Sequence, residues 1–136
     1  MRKLTLEIVT PDKLVASEEV DMVIAPGVLG EFGVLEGHIP FLSGINPGEL
    51  RFTIDDKIEY YVITYGFAEI SDNKVSILVD AAERSDKIDL NRAQKALERA
   101  KERLEMERST QGIDFARAES AFKRATARIM VAEKVK

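Results

Sequence analysis

The sequence predicts a chain that folds as β plus α, with an antiparallel β-sandwich first and an antiparallel two-helix hairpin after it. Three observations lead to this prediction. Apolar residues alternate along short segments up to about residue 79, seven of the eight glycines and all four prolines precede residue 67, and Ala, Glu, Lys, Arg and Leu dominate from residue 89 onward. Alternation with a period of two indicates half-buried strands, whereas the later composition favours helices. We therefore predict a β-sandwich domain at residues 1–84 and a helical hairpin at residues 85–136.

Six segments of the first half have the pattern of strands. In the first, Leu4, Leu6 and Ile8 alternate with polar residues. The other five are Val20–Ala25, Glu49–Ile54, Ile58–Thr64, Phe67–Ile70 and Val75–Val79. Typical turn residues separate them, namely Pro26-Gly27, Asn46-Pro47-Gly48, Asp55-Asp56 and Asp72-Asn73. Their number and spacing predict an antiparallel sandwich or a flattened barrel.

Two helices are predicted in the second half. Asp89 is a suitable N-cap for the first, which we expect to reach about Arg108, and Asp114 for the second, which we expect to reach about Glu133. The short link at 109–112 favours an antiparallel hairpin. The apolar faces consist of Ala93, Ala96, Leu97, Ala100 and Leu104 on the first helix, and of Ala118, Ala121, Phe122, Ala125, Ile129 and Ala132 on the second. Because alanines bury little apolar area, we expect a weakly held hairpin that can open.

The composition excludes several kinds of catalytic site. The 136 residues include no cysteine and one histidine, which excludes disulfides, thiolate metal sites and cysteine nucleophiles. The sequence has no phosphate-binding loop, dinucleotide fingerprint or nucleophile elbow, so we expect no enzyme. His38 stands in a glycine-containing loop before a proline, and we expect it to hydrogen-bond to the backbone rather than act as a base or ligand.

Membrane insertion and nucleic-acid binding are also not expected. The chain lacks an apolar run of about 20 residues, which a spanning helix requires. Glu7, Pro11 and Asp12 interrupt the segment after the basic N-terminus, so a secretory signal is not expected. A transit peptide is not expected either, which favours a bacterial protein over an organellar precursor, although a plastid-encoded chain would also lack one. The chain is net acidic and has no nucleic-acid recognition motif.

Charge is divided unevenly between the two halves. Residues 1–88 carry 8 basic and 16 acidic side chains, a net charge of −8, whereas residues 89–136 carry 12 and 8, a net charge of +4. In one interpretation, the charge of each half only keeps that half soluble and implies no partner. The division is equally compatible with a helical half that meets an acidic partner surface. Charge alone leaves both interpretations open.

Four arginines of the second half lie at helical spacing. Arg92 and Arg99 are seven residues apart on one face, and Arg124 and Arg128 are four apart on another. If the hairpin closes, these guanidinium groups could converge on one groove, where planar donors suit phosphate oxygens. From spacing alone, however, ion pairs with neighbouring glutamates on a solvated face are the commoner outcome.

Three motifs of the first half match a known family. They are Gly30-Glu31-Phe32-Gly33-Val34-Leu35-Glu36-Gly37-His38-Ile39-Pro40, then Gly66-Phe67-Ala68-Glu69-Ile70, and then Asn73-Lys74-Val75-Ser76-Ile77-Leu78 with Ala81-Ala82-Glu83. The first resembles the G-E-x-G-[IV]-L-P-G-H-x-P signature of the epsilon subunit of F-type ATP synthases, and the likeness extends in order over the whole chain. One departure is Glu36, where the family usually has proline, so the resemblance leaves the geometry of this loop open but affects no chemical group.

The resemblance implies a non-catalytic rotor subunit of a proton-translocating ATP synthase. In this family the sandwich binds the gamma subunit and rests on the ring of c subunits. The helices either fold onto the sandwich, which permits ATP hydrolysis, or extend along gamma to the catalytic beta and alpha subunits and inhibit it. A nearly continuous helix over residues 89–136 would span roughly 70 Å. The implied location is peripheral, on the cytoplasmic face of the bacterial cell membrane, and the +4 charge of this half would then face an acidic stretch of beta.

A further motif opens the first helix. Ile88-Asp89-Leu90-Asn91-Arg92-Ala93 matches the I/L-D-x-x-R-A motif with which Bacillus-type members bind one regulatory ATP in the folded hairpin. The resemblance implies an ATP site, with or without Mg²⁺, formed by Glu83, Ile88, Asp89, Arg92, Ala93, Arg99, Arg124 and Arg128. Glu83 and Asp89 would hold the adenine or ribose, and the arginines would face the phosphates. The alternative function is a free-standing ATP-sensing module outside a rotary complex, and association with gamma distinguishes the two.

Overall fold

The computed structural model describes residues 4–107 and 113–134, except for the side chains of residues 107, 113 and 114. Within these residues there are ten strands, one short 3₁₀ turn and two α-helices. Their bounds are β1 Leu4–Val9, β2 Leu14–Val20, β3 Met22–Gly27, β4 Gly30–Val34, β5 Phe41–Ile45, β6 Gly48–Ile54, β7 Lys57–Ile63, β8 Gly66–Ser71, β9 Lys74–Val79, β10 Ala82–Arg84, the 3₁₀ turn Ser85–Lys87, α1 Leu90–Glu107 and α2 Ile113–Glu133. The predicted fold class, a β-sandwich followed by two helices, is therefore confirmed.

The strands form one sheet that folds over a shared apolar core. Their order is β10-β7-β6-β3-β5-β8-β9-β1-β2, and β4 pairs with β3. The described strands pair antiparallel with one exception, β1 with β9, which run parallel with Thr5 opposite Lys74. The predicted burial of Leu4, Leu6 and Ile8 is confirmed, since all three are at most 1% exposed. They pack in one cluster with large aliphatic residues from five other strands, β5 to β9, namely Ile45, Leu50, Ile63, Ile70 and Ile77.

The predicted single strand Val20–Ala25 is wrong. Val20 ends β2 and Met22 begins β3, and Asp21 lies between them with its backbone N–H donating to the carbonyl of Thr53 at 2.8 Å. Strand β2 was not predicted, because only Ala16 and Val20 of its seven residues are buried and the strand carries little apolar signal. The predicted turn at Pro26-Gly27 is also displaced, since Gly27 pairs with Gly30 and the two residues between them make the turn.

Three more strands were not predicted, namely β4, β5 and β10. The first two contain glycines, which are depleted in strands, and β10 has only three residues.

Packing requires a glycine at position 66, at the start of β8. A Cβ on Gly66 would lie 2.0 Å from the backbone oxygen of Leu78. Only a residue without a side chain lets β8 and β9 approach so closely there.

Two predicted turns are confirmed in detail. Asp55 and Asp56 have φ of 49° and 67°, and Asp72 and Asn73 have φ of 50° and 60°. Positive φ at both central residues is the geometry of a type I′ turn, whose twist matches that of the flanking strands. Asp and Asn tolerate this conformation better than most residues, which is why the sequence located both hairpins.

The first helix begins as predicted. The backbone N–H of Arg92 donates to the Asp89 carboxylate at 3.1 Å, and the N–H of Ala93 donates to the Asp89 carbonyl at 3.0 Å, so Asp89 is its N-cap. The second helix is already formed at Ile113, one residue before its predicted cap. The link at 109–112, the helix end predicted at Arg108 and the side chain of Asp114 lie outside the described residues.

The two helices meet along small side chains. Ala93 and Ala100 of α1 and Ala118 and Ala125 of α2 are 2–3% exposed, which confirms the burial predicted for these four members of the two faces. We call these four residues the alanine seam. Neither helix, over its described residues, has the length and hydropathy required of a membrane-spanning segment.

Contact between the hairpin and the sandwich is made mainly by α2. Ala127 and Val131 pack on Val62 of β7, and we call these three residues the docking cluster. Tyr60 and Ile88 pack against it. Lys134 extends the contact, since its Nζ lies 3.3 Å from a Glu49 carboxylate oxygen and 5.7 Å above the centre of the Tyr60 ring. This second buried face of α2 was not predicted from the sequence.

Candidate nucleotide-binding site

A cavity of about 270 Å³ lies where β10, the start of α1 and the end of α2 meet. We call it the basal pocket. Its lining residues are Glu83, Ile88, Asp89, Arg92, Ala93, Ala96, Arg99 and Arg128. Seven of the eight residues predicted to bind ATP are thus brought together, although they come from β10, the segment before α1, α1 itself and α2. The eighth, Arg124, lies in the adjoining cavity.

The adjoining cavity, of about 290 Å³, continues along the groove between the helices, and we call it the distal pocket. Its lining residues are Ala96, Arg99, Ala100, Arg103, Ala121, Arg124, Ala125 and Arg128. Ala96, Arg99 and Arg128 line both pockets, so the two adjoin, and we call them together the cleft. Together they reach the size of small-molecule clefts, roughly 300 to 1,000 Å³. Arg103 was not predicted to belong to the site.

Local backbone structure fixes the acidic side of the basal pocket. Glu83 is held in β10, where it pairs antiparallel with Val62 of β7. The 3₁₀ turn at Ser85–Lys87 then redirects the chain, and Ser85 within it is 5% exposed. Asp89 caps α1 through one carboxylate oxygen, so its other oxygen remains available as an acceptor. The two carboxylates therefore border the pocket at its sandwich end.

The basic side of the cleft is largely unpaired. Arg128 lies 3.9 Å from the Glu83 carboxylate, measured from Nε to Oε1, which joins α2 to β10 across the basal pocket. In the part of the chain that the structure describes, no carboxylate lies within 4.0 Å of the four other arginines. These are Arg92, Arg99, Arg103 and Arg124. Their guanidinium groups keep their donors free for an external acceptor.

This result corrects the commoner interpretation of the arginine spacing. Ion pairing with the neighbouring glutamates was one of the two outcomes left open by the sequence. Those glutamates, Glu98, Glu102 and Glu105, form no ion pair with the cleft arginines among the described residues. The arginines therefore converge on a groove instead of forming a neutralised surface.

A second groove between α2 and the sandwich has the opposite character. It is larger, about 610 Å³, and is bordered by Arg51 and Lys134. Arg51 hydrogen-bonds to Glu31 at 2.9 Å and to Glu49 at 2.8 Å, and these contacts raise the pKa of Arg51. Lys134 is paired with Glu49. Because its cations are already neutralised, this groove is a poor candidate for binding phosphate.

His38 has the structural role expected for it. Its Nδ1 lies 2.6 Å from the carbonyl oxygen of Ile39, so the proton is on Nδ1 and the ring donates. The backbone N–H of His38 also donates to the carbonyl of Leu35 at 3.1 Å, and that of Gly37 donates to the Asn73 side chain at 2.7 Å.

Over the described residues, no group of three or more acidic or histidine side chains could hold a metal. Whether Mg²⁺ accompanies a nucleotide stays a prediction.

Comparison with known proteins identifies the family. Residues 3–85 match the β-sandwich domain of the ATP synthase delta/epsilon chain, and residues 86–133 match its long α-helix domain. The chain belongs to the ATP synthase delta/epsilon chain family. The ATP synthase epsilon chain of Nitratidesulfovibrio vulgaris strain DP4 is 52% identical, covering 96% of each chain, and that of Syntrophobacter fumaroxidans is 50% identical, covering 97% of each.

The same fold occurs in solved structures of ATP synthases. The chain is similar to one in the mitochondrial ATP synthase OSCP/F1/c-ring assembly of Euglena gracilis, with a TM-score of 0.82 and 26% identity over 98% of this chain and 82% of that one. A chain of the Tetrahymena thermophila central stalk and c-ring shares the fold, with a TM-score of 0.61 and 16% identity over 98% and 96%. As a member of this family, the chain is a non-catalytic subunit of an ATP synthase.

Proposed function

We propose that the chain is a rotor subunit of a proton-translocating F-type ATP synthase and that its hairpin regulates ATP hydrolysis. Residues 1–84 bind gamma and rest on the c-ring, and residues 85–136 form the regulatory hairpin, on the cytoplasmic face of the membrane. Extended, the hairpin reaches the beta and alpha subunits and inhibits hydrolysis. The Euglena likeness supports this role, since that neighbour belongs to an F1/c-ring assembly.

The observation that carries the regulatory proposal is the cleft of unpaired arginines beside two carboxylates. Glu83 and Asp89 accept hydrogen bonds from the adenine or ribose, and Ile88 and Ala93 supply an apolar wall. The phosphates of ATP lie against the arginines at the other end, where charge-assisted bidentate hydrogen bonds are strongest. These arginines are Arg92, Arg99, Arg124 and Arg128.

Binding at this cleft closes the hairpin because the site exists only when it is folded. The lining comes from β10, α1 and α2 together, so an extended hairpin separates its parts. A ligand that binds the folded form alone stabilises it by RT ln(1 + [L]/Kd), about 1.4 kcal/mol when ATP is present at about nine times Kd. The equilibrium then moves about tenfold toward the folded form. When ATP falls, the hairpin extends and hydrolysis is inhibited.

Isothermal titration of the full chain with ATP tests the site. We expect saturable one-to-one binding, with affinity about tenfold or more lower in Arg92→Ala, because a hydrogen bond to a charged group is worth about 1.5 to 3 kcal/mol. Arg117→Ala is the matched control, since Arg117 is an exposed arginine of α2 outside both pockets. Equal ATP affinity in the two variants would place the nucleotide elsewhere.

A second substitution separates the two roles of Asp89. Asn caps a helix about as well as Asp, so Asp89→Asn keeps the start of α1 but removes the carboxylate. We expect unchanged helix content by circular dichroism together with weaker ATP binding. If the Asn variant binds ATP as the wild type does, Asp89 acts only as a cap.

Two functional assays connect the site to the complex. Inhibition of ATP hydrolysis should depend on ATP concentration with the wild-type subunit, and this dependence should disappear with Arg92→Ala. The alternative, a free-standing ATP-sensing module, predicts ATP binding without association with gamma. Copurification with gamma therefore decides between the two functions.

A further inference from the structure

Thr64 is a buried polar residue that the proposed nucleotide site does not use. It follows β7 directly in the chain and is 4% exposed. Its Oγ1 accepts a hydrogen bond from the backbone N–H of Ala81 at 3.0 Å and donates a longer one to the Ala81 carbonyl at 3.4 Å. The backbone N–H of Thr64 also donates to that carbonyl, at 3.1 Å. Thr64 therefore holds both polar backbone groups of Ala81.

Ala81 immediately precedes β10, the strand that carries Glu83. β10 has only three residues, lies at one end of the sheet order and pairs with β7. Such a short terminal segment makes few ladder hydrogen bonds, and segments of this kind open locally at little cost in free energy. The contact with Thr64 extends the ladder by one position, since Ala82 lies opposite Ile63. The threonine hydroxyl thus anchors the start of β10.

The register of β10 sets the direction of the Glu83 side chain. Glu83 lies directly opposite Val62, and directly opposite residues of an antiparallel pair have their side chains on the same face. Val62 packs on Ala127 of α2, so Glu83 also faces α2, and its carboxylate lies 3.9 Å from Arg128. A slip of one residue would turn a strand's side chains to the opposite face. Loss of the anchor would therefore withdraw the carboxylate from the basal pocket.

The two carboxylates of the basal pocket are held in different ways. Asp89 is fixed by its own helix, because its carboxylate accepts from the backbone N–H of Arg92 at 3.1 Å. Among the described residues, Glu83 has one charged partner, Arg128, and the two side chains are 42% and 38% exposed. Exposed ion pairs of this kind contribute little to the free energy of a fold. The position of Glu83 therefore depends on the strand that carries it.

We propose that Thr64 is a positioning residue of the nucleotide site, which anchors β10 and thereby holds the Glu83 carboxylate where it accepts a hydrogen bond from the base or ribose. This inference rests on the proposed function. Thr64 lines neither the basal nor the distal pocket, so it acts on nucleotide affinity through Glu83 and not by contact with the ligand.

Isothermal titration of the full chain with ATP tests the inference. Thr64→Val keeps the shape of the side chain but cannot hydrogen-bond, so we expect ATP affinity to fall about tenfold, the scale of one lost hydrogen bond in a buried place. Thr64→Ser keeps the hydroxyl and should restore most of the affinity. Thr126→Val is the matched control, because it also removes a threonine hydroxyl bonded to a backbone carbonyl, that of Phe122 at 2.8 Å, outside both pockets.

A double-mutant cycle separates positioning from a merely structural role. In a Glu83→Ala background, Thr64→Val should cause no further loss of ATP affinity, because the carboxylate through which it acts is already absent. A loss as large as in the wild-type background would show that Thr64 stabilises the sandwich without positioning Glu83, and the inference would be wrong. Equal ATP affinity of Thr64→Val and Thr126→Val would also overturn it.

Hydrogen exchange without nucleotide distinguishes failure of this inference from failure of the nucleotide site. The amides of β10 should exchange faster in Thr64→Val than in Thr126→Val, while β1 and β9 keep their protection, which also shows that the variant folds. Unchanged exchange of β10 would overturn the anchoring, whether or not ATP binds. If the wild type does not bind ATP, the proposed nucleotide site is wrong, and faster exchange of β10 in Thr64→Val would still support the anchoring of Glu83.

Discussion

The sandwich is filled by large aliphatic side chains, whereas the hairpin is closed by alanines. Leu6, Ile8, Leu50 and Ile77 are fully buried in the sandwich, and each such side chain stabilises the fold by about 1.5 to 3 kcal/mol. The alanine seam buries about one methyl group per residue, and the docking cluster adds only three buried residues. The sandwich is therefore expected to stay folded while the hairpin opens, and substitutions in the two regions should have separable effects.

The largest expected effect is in the sandwich core. Leu6→Ala leaves a cavity at a fully buried position, so the free energy of unfolding should fall by about 2 to 5 kcal/mol in urea titration. Leu42→Ala is the control, because Leu42 is 68% exposed and its loss should change stability by no more than about 0.5 kcal/mol. Equal losses in the two variants would contradict the core described here.

A smaller effect is expected at the docking cluster. Val131 is 1% exposed, and Val131→Ala removes two methyl groups, which should weaken docking by about 1.5 kcal/mol. Hydrogen exchange of α1 and α2 should then become roughly tenfold faster, while β1 and β9 keep their protection. Met130→Ala, at a neighbouring position that is 60% exposed, should change neither the exchange of the helices nor that of the strands. Faster exchange in the β-strands as well would mean that the two regions unfold as one unit.

The smallest effect is expected for the ion pair at the end of α2. Lys134→Ala removes the contact with Glu49 and with the Tyr60 ring, and it should weaken docking by about 0.2 to 1 kcal/mol. The difference from wild type should shrink at about 1 M salt, where the Debye length is about 3 Å. Lys123→Ala is the matched control, because Lys123 pairs with Glu119 inside α2 and not with the sandwich. If the helices of both variants exchange equally fast at low salt, Lys134 does not contribute to docking.

The parts of the fold that the sequence predicted are those with local signals. Alternation located β1, composition located the helices, and Asp and Asn at adjacent positions located both type I′ turns. The strand β2 was missed because its side chains are mostly exposed, and β4 because its glycines favour a loop. The parallel pairing of β1 with β9 is a contact between distant residues, and local periodicity carries no information about the partner.

The candidate site was predictable to the extent that a motif and helix spacing describe it. The I-D-x-x-R-A motif led to the residues of the basal pocket, and the four-residue spacing on α2 led to Arg124. The same spacing from Arg99 would have led to Arg103, but the motif does not include it. Ala127 and Val131 were missed because the alanine-rich helix has no clear boundary between its apolar faces.

The parallel pair β1–β9 also sets the order in which the sandwich can assemble during synthesis. Strand β1 can pair with β2 as soon as both have left the ribosome, since they are neighbours in the chain and pair antiparallel. The other edge of β1 stays unpaired until residues 74–78 have been synthesised, after most of the domain. Closing so long a loop is slow compared with local pairing. The nascent subunit therefore exposes one edge of its first strand until the ninth strand emerges, and only then does the sandwich close.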